Sequence, residues 1–321
     1  MGKARTLATL SLAVGAAGAG TAIVAAFRSD MRAALARLAG QSRLVETACG
    51  PVEVAESGSG PPVLVVHGTG GGFDQGMMAG KGAFGNDYRV IAPSKFGYLR
   101  SPMPADASHA AQADTLAALL DALGVPRAVV MAVSAGAQPA TQLALRHPER
   151  VQALVLISPA LHLPPKPGVA PESGPPGFVL DYVLASNFIV WAIAHLMPNL
   201  LVRVAGVPPS LLGQVTPQLR KELADGFFPA SARHVGLAHD IRTTTPVAPD
   251  LPIEQLRMPV MLIGTADDPY KTGEVVRSSA GRLPTATALI LESGGHVLIG
   301  QQDRIRQEVQ EFLGEHVTHA K

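Results

Sequence analysis

The stretch Ala132-Val133-Ser134-Ala135-Gly136 directly follows an apolar run, residues 128–131, and precedes a helix-like segment that ends near Arg146. This order predicts a strand, a sharp turn with a serine at its apex, and then a helix. Such a turn strains the backbone of its central residue and requires small neighbours on both sides. Because the neighbours are alanine and glycine, the turn is predicted to expose the Ser134 hydroxyl above a sheet edge. The alternative is that Ser134 only caps the helix.

The rest of the chain predicts an α/β fold. Short apolar segments alternate with helix-like stretches, which indicates a mostly parallel sheet with helices on both faces. The predicted strands lie near residues 63–67, 88–92, 128–133, 153–158, 259–264 and 287–292.

Three loops that follow predicted strands carry candidate functional groups. The segment His67-Gly68-Thr69-Gly70-Gly71-Gly72 is rich in glycine, so its backbone N–H groups can approach a ligand closely. Asp267 and Asp268 follow a later strand, and His296 follows two glycines after the last strand. Serine, then acid, then histidine is the order of one particular scaffold.

In these elements, over roughly residues 45–321, the chain resembles the α/β-hydrolase fold superfamily, in its lid-bearing, esterase- or lipase-like branch. The resemblance implies a catalytic triad in which Ser134 is the nucleophile and His296 the general base. It implies that Asp267 is the acid that orients the histidine. Asp268 precedes Pro269, and this position favours a turn role for it.

The resemblance also implies an oxyanion hole, a pair of N–H groups that binds the developing negative oxygen. Thr69 and Ala135 would supply these groups, with Gly70 as the alternative to Thr69. The sequence departs from the family pattern at two places. Ala132 stands where the usual GxSxG turn has glycine, and residues 92–98 replace an Asp-x-x-Gly-x-Gly turn.

The chemistry of these residues holds independently of the family. A serine hydroxyl needs a base within hydrogen-bond reach, and histidine has an ordinary pKa of about 6.5 that suits this task. A carboxylate on the other ring nitrogen fixes the tautomer. Two alternatives stay open from the residues alone. In the first, Asp267 or Asp268 only caps the helix that starts near Lys271. In the second, His296 is an ordinary loop histidine.

Other site chemistries find little support in the sequence. A dinucleotide loop would need its third glycine where Phe73 stands. No Walker-type loop, CxxC or HExxH motif occurs, and the single cysteine, Cys49, has no partner, so neither a metal nor an organic cofactor is expected. Lys and Arg total 26 against 25 Asp and Glu, which argues against a nucleic-acid partner.

The chain is predicted to consist of an N-terminal segment, 1–30, and a core in two parts, 45–160 and 246–321, separated by a lid insertion, 161–245. The insertion contains a markedly apolar run, Phe178 to Val207, whose aromatic residues are spaced as on a helix. We expect this run to form an apolar pocket. Phe188 and Trp191 are its candidate substrate-binding residues.

The N-terminal segment predicts attachment to a membrane. The 21 residues from Leu7 to Phe27 carry no charge, and basic residues flank them on both sides. A segment of this length is long enough for one membrane span. Localisation at a membrane through a single span is therefore predicted. The alternatives are export after signal cleavage near Val24-Ala25-Ala26 and a soluble helix packed on the domain.

Together these features predict a serine hydrolase that cleaves a small to medium apolar carbonyl substrate, most simply a carboxylic ester, through an acyl-enzyme. In this superfamily the same residues also support carbon–carbon bond hydrolysis and perhydrolysis, which are the same-triad alternatives. The alternative from another class is a non-catalytic ligand-binding protein of this fold. The sequence leaves the oligomeric state open.

Overall fold

The computed structural model describes residues 2–164, 182–244 and 248–317, and within the first helix it describes the side chains of residue 18 and of residues 20 onward. The chain divides into two compact units, Met1–Ala39 and Gly40–Lys321. The first unit contains helix α1 (Gly2–Leu38). The second unit contains the sheet and the remaining helices.

The predicted membrane span, Leu7 to Phe27, lies on α1, and the side chains of its first part fall outside the described residues. Within the ranges the structure describes, no single helix is long and apolar enough to cross a membrane. Two consecutive helices, Asn187–Leu196 and Pro198–Val204, meet these criteria only when taken together, and they are bent by 107° at their junction. The membrane span stays a prediction.

The second unit is built on an eight-stranded sheet. The strands are β1 (Arg43–Thr47), β2 (Gly50–Ser57), β3 (Pro62–Val66), β4 (Arg89–Pro93), β5 (Ala128–Val133), β6 (Val151–Ile157), β7 (Val260–Thr265) and β8 (Thr287–Leu291). Their order in the sheet is β1-β2-β4-β3-β5-β6-β7-β8. Strands β1 and β2 pair antiparallel, as do β2 and β4, and every pair from β4 onward is parallel. The predicted α/β class is confirmed.

Helices cover both faces of the sheet because alternate strand residues point to opposite sides. The helices are α2 (Phe73–Phe84), α3 (His109–Ala122), α4 (Ala137–Arg146), α5 (Asn187–Leu196), α6 (Pro198–Val204), α7 (Pro217–Phe227), α8 (His234–Thr244), α9 (Thr272–Arg282) and α10 (Gln302–His316). On β3, Leu64 and Val66 belong to one apolar cluster with α3, α4 and α9, whereas Val63 and Val65 belong to another with α2 and α10.

The predicted lid, residues 161–245, corresponds to chain between β6 and β7, where the structure describes α5 to α8. We call this stretch the insertion. A third apolar cluster joins Val202, Val207, Leu211 and Val215 of the insertion to Ile299, three residues beyond His296. The insertion therefore packs on the loop that carries the predicted base, and its role as a lid remains a prediction.

Candidate active site

Ser134 lies where β5 ends and a short 3-10 turn, Ser134–Gly136, leads into α4. Its φ of +51° is a conformation that residues with a side chain rarely adopt, so the turn is strained there. A Cβ at Gly136 would lie 2.4 Å from the carbonyl oxygen of Val66, and this close approach to β3 therefore requires glycine. The predicted strand, turn and helix around Ser134 are all present.

His296 contacts Ser134 directly. Its Nε2 atom lies 2.8 Å from Ser134 Oγ, and only 13% of its side chain is exposed. Its backbone is held on both sides: the N–H donates to the carbonyl of Gly206 at 2.9 Å, and the carbonyl accepts from Ser158 Oγ at 2.8 Å. The ring orientation is thus supported by one residue of the insertion and one at the end of β6.

The carboxylate that contacts His296 belongs to Asp268. Its Oδ2 lies 2.7 Å from His296 Nδ1 and also accepts from Thr272 Oγ1 at 2.5 Å, while its Oδ1 accepts from the N–H of Tyr270 at 2.8 Å. The predicted pairing of Asp267 with His296 is wrong. A turn role and an orienting role are compatible in Asp268 because its two oxygens serve different donors.

Asp267 instead stabilises the loop before the histidine. It accepts hydrogen bonds from Ser293 Oγ at 2.7 Å and from the N–H groups of Gly294 and Gly295 at 3.2 and 2.8 Å. Partial burial acts to raise the pKa of Asp267, but these hydrogen bonds outweigh it and hold the pKa below its usual value. The ionised carboxylate therefore fixes the path of the chain into His296.

The glycine-rich loop lies beside the serine, since a Cβ at Gly68 would be 3.1 Å from that of Ser134. The N–H of Gly70 donates to Tyr98 Oη at 3.0 Å, so Gly70 is already engaged and does not serve as the alternative oxyanion donor. Among the described contacts, no hydrogen bond is found for the N–H of Thr69. Ala135 follows Ser134 at the start of the helical turn, where N–H groups lack helical partners.

His67, the first residue of this loop, is neutral. Complete burial, reinforced by the nearby Lys95 charge, lowers the pKa of His67 well below its ordinary value. Its Nε2 accepts from the N–H of Lys95 at 3.0 Å, so the proton is on Nδ1, which donates to the Gly68 carbonyl at 2.7 Å. This tautomer fixes the direction of the peptide group between Gly68 and Thr69.

The predicted substrate-binding residues both lie on α5. Phe188 stacks on Trp191 with ring centroids 5.7 Å apart, and Trp191 in turn contacts His195 at 4.5 Å. These described contacts lie within α5, so a substrate role for the two residues stays a prediction. Phe178, at the start of the apolar run that predicts the pocket, falls outside the described residues.

Sequence reasoning missed two residues of the insertion at the site. A Cβ on Gly70 would lie 2.5 Å from the ring of Phe227, so this phenylalanine covers the glycine-rich loop. A Cβ on Gly206 would lie 2.3 Å from that of His296. Neither contact has a local sequence signal, because each depends on how the insertion folds back over the sheet.

Comparison with known proteins agrees with this architecture. A family model described as alpha/beta hydrolase fold matches residues 61–183. A solved α/β hydrolase fold protein from Nakamurella multipartita superposes with a TM-score of 0.68 at 26% identity, covering 85% of this chain and 98% of that protein. The chain has the α/β-hydrolase fold.

Curated relatives of this α/β-hydrolase-fold protein carry different reaction names. A 2-hydroxymuconate semialdehyde hydrolase from Pseudomonas putida is 40% identical over 106 residues, 32% of this chain and 37% of that protein. An epoxide hydrolase from Caballeronia sordidicola is 40% identical over 113 residues, 33% of each chain. The matched region thus spans about a third of the length of these relatives.

Proposed function

We propose that the chain is a serine hydrolase that cleaves a small to medium apolar carbonyl substrate, most simply a carboxylic ester. The observation that carries the proposal is the continuous contact from Ser134 Oγ to His296 Nε2, and from His296 Nδ1 to Asp268 Oδ2. Three such groups in line are the arrangement that activates a serine hydroxyl. The hydrolase names of the relatives support the same class.

The proposed mechanism begins with proton transfer to His296. Because Asp268 can only accept, Nδ1 of His296 carries a proton and Nε2 is free to take the proton of Ser134 as its oxygen attacks the substrate carbonyl. The negative oxygen that forms is bound by the N–H groups of Thr69 and Ala135. Asp268 stabilises the resulting imidazolium.

Three further proton transfers complete the cycle. The imidazolium of His296 returns its proton to the leaving alcohol, the carbon–oxygen bond breaks, and the acyl group remains on Ser134. A water molecule then loses a proton to His296 Nε2 and attacks the acyl carbon. The acid is released, and Ser134 recovers its proton.

A fluorophosphonate probe tests this proposal, because it reacts with activated serines. We expect stoichiometric labelling at Ser134 after peptide mapping, complete loss of label in Ser134→Ala, and normal labelling in the control Ser59→Ala, whose serine is exposed between β2 and β3. Correctly folded protein that takes up no label would contradict the proposal and favour the ligand-binding alternative.

A second candidate is another reaction of the same triad. The relative named as a 2-hydroxymuconate semialdehyde hydrolase motivates an assay of that semialdehyde beside simple esters. Turnover of the semialdehyde at a kcat/KM at least tenfold above that of the best ester would favour this candidate. Perhydrolysis is tested in the same series by adding hydrogen peroxide and measuring peracid.

We also propose that the N-terminal segment attaches the enzyme to a membrane. The uncharged stretch from Leu7 to Phe27 supports this, since it lies on the continuous helix α1 and is flanked by basic residues. Carbonate extraction of membranes from expressing cells tests it. The full chain should stay in the membrane pellet, whereas recovery in the soluble fraction would contradict the proposal.

A further inference from the structure

A buried row of polar groups joins the insertion to the glycine-rich loop. Lys95 Nζ donates to both carboxylate oxygens of Asp240 on α8, at 2.9 and 2.7 Å. Tyr98 Oη donates to Asp240 Oδ2 at 2.6 Å and accepts from the N–H of Gly70 at 3.0 Å. Lys95, Tyr98 and Asp240 are each at most 4% exposed.

The direction of these hydrogen bonds is fixed by chemistry. The Asp240 carboxylate, paired with the Lys95 ammonium, can only accept, so the hydroxyl proton of Tyr98 points to Asp240. The lone pairs of Tyr98 Oη are then left for the N–H of Gly70. A hydrogen bond to a charged acceptor is stronger than a neutral one and polarises the hydroxyl, which makes it a better acceptor for Gly70.

A second residue of the insertion holds the other end of the loop. Arg233, immediately before α8 and fully buried, donates from Nη1 to the carbonyl of Gly71 at 2.6 Å. The same guanidinium binds both oxygens of Asp74 at 3.1 and 2.7 Å, which anchors it to the first turn of α2. Through hydrogen bonds, the insertion thus holds the loop at Gly71 directly and at Gly70 by way of Tyr98.

Residues of the core hold the loop on its other side. The N–H of Gly68 donates to Gln75 Oε1 at 2.8 Å, and the carbonyl of Gly68 accepts from His67 Nδ1 at 2.7 Å. The peptide groups that flank Thr69 are therefore tied on both sides. Of the N–H groups from Gly68 to Gly70, the described contacts occupy the first and the last, and only that of Thr69 is left for a substrate.

We propose that Tyr98 and Asp240 are positioning residues of the oxyanion hole. Asp240 fixes the Tyr98 hydroxyl, and this hydroxyl occupies Gly70 and holds the loop in the one conformation that offers the N–H of Thr69. The inference rests on the proposed function. It assigns the insertion a part in catalysis that is distinct from covering the substrate, because preorganised donors bind the oxyanion without rearranging during the reaction.

Removing the Tyr98 hydroxyl tests the proposal. Tyr98→Phe should lower kcat on a soluble ester about 10- to 100-fold, since a small displacement of an oxyanion donor has effects of this size, and change KM by less than threefold. Affinity for a trifluoromethyl ketone should fall by the same factor as kcat/KM. The matched control, Tyr88→Phe just before β4, should have unchanged kcat and KM. A folded Tyr98→Phe enzyme with kcat within about threefold of wild type would overturn the proposal.

The role of Asp240 is tested by removing its charge together with that of its partner. Asp240→Asn alone would leave Lys95 as a buried uncompensated charge, so the pair is replaced in Lys95→Met/Asp240→Leu. This double variant should lose as much kcat as Tyr98→Phe, and adding Tyr98→Phe to it should have no further effect. Independent, multiplicative losses would show that Asp240 does not act through Tyr98.

If the variants fail to fold, a measurement on the wild-type protein still tests the proposal. Hydrogen exchange of the peptide spanning residues 67–74 should change less than about threefold when Ser134 is phosphonylated, because the loop is already fixed. A rise in protection above tenfold would mean that the loop is ordered only by the bound group, which contradicts the inference. If the wild-type serine is not labelled at all, the proposed function fails, and exchange of the loop in the free protein still shows whether it is fixed.

Discussion

The carboxylate of Asp268 lies 2.7 Å from His296 Nδ1, and the three hydrogen-bond donors that converge on it leave its side chain with no exposed surface. Its neighbour Asp267 has a different set of donors, all in the loop from Ser293 to Gly295. Two adjacent carboxylates thus have separable tasks. One contacts the ring of His296, and the other shapes the loop that leads to it.

This division predicts different effects for two conservative substitutions. Asp268→Asn should lower kcat by about 10⁴, because an amide that donates to Nδ1 imposes the wrong tautomer on His296, an effect of the size known for serine proteases. Asp267→Asn keeps one acceptor oxygen for the loop and should lower kcat less than about tenfold, with a loss of stability of about 1 to 3 kcal/mol. Steady-state kinetics and thermal melts of both variants make the comparison. The reverse pattern would assign the orienting role to Asp267.

Gly206 is predicted to be essential for the position of the base. Its φ is +81°, and a Cβ would lie 2.3 Å from that of His296, so Gly206→Ala must displace one of the two chains. We expect kcat to fall at least 10²-fold. In the control Gly226→Ala on α7, the new methyl has open space and should stabilise the helix by about 0.5 to 1 kcal/mol without loss of activity. Equal activity in both variants would contradict this prediction.

The stability of the fold should decrease in mild acid because of His109. Burial, followed by the nearby Lys95 charge, lowers the pKa of His109 to about 4, and its Nε2 has no partner among the described residues. Since the unfolded chain has the higher pKa, it binds more protons below about pH 6.5, and stability falls as the pH drops from there through about 4. The loss between pH 7 and pH 5 should be about 2 kcal/mol.

Urea unfolding at the two pH values measures this effect. His109→Gln should reduce the difference by roughly the same amount, whereas the exposed His316→Gln control should retain it. The buried His67, whose pKa is also lowered, adds acid sensitivity of the same sign that remains in both variants. An unchanged pH dependence in His109→Gln would show that this histidine does not stay neutral in the folded state.

Apolar side chains of the insertion predict a preference for longer acyl groups. Phe227 covers the glycine-rich loop, and α5 carries Phe188 and Trp191. On p-nitrophenyl esters, kcat/KM should rise from two towards eight acyl carbons, by up to roughly fourfold per CH₂, since each buried CH₂ contributes about 0.8 kcal/mol. Ser134→Ala provides the background rate. A flat or falling profile would mean that the acyl group does not bind an apolar surface.

The N-terminal helix should be dispensable for chemistry. If Leu7 to Phe27 is a tether, removing residues 1–30 should yield soluble protein with unchanged kcat and KM on a water-soluble ester. The unit from Gly40 onward contains Ser134, Asp268 and His296 and the whole sheet, which supports this expectation. Aggregation or loss of activity in the truncated chain would show instead that the segment is required by the fold.

Sequence patterns predicted the elements that have strong local signals. Ser134 follows a buried strand and is surrounded by small residues, and this pattern alone predicts a turn of its kind. The first two strands escaped prediction: β1 lies at the sheet edge, and β2 joins the core through antiparallel pairing with β4. Pairing of that type is decided by tertiary contacts and not by the strand itself.

The choice between Asp267 and Asp268 was wrong for a physical reason. Both follow β7, and the position before Pro269 favoured a turn role for Asp268, but one carboxylate oxygen makes the turn while the other contacts His296. The hydrogen bond from the N–H of Gly70 to Tyr98 Oη also could not be predicted from the sequence, since 28 residues separate the two. Residues 92–98 did depart from the family turn, and Tyr98 lies at the end of that departure.

The position of Arg233 and Asp240 at the carboxyl end of the insertion sets a boundary for recombining this chain with its relatives. A chimaera that replaces residues 187–196 and 217–227 would exchange the aromatic α5 and the helix with Phe227 for those of a donor protein. It would keep Gly206 against His296, Arg233 on Gly71 and Asp240 on Tyr98. A crossover placed beyond residue 244 would remove them. To change the substrate range, the last crossover should therefore lie before residue 230, and the residues that follow it should be kept from this chain.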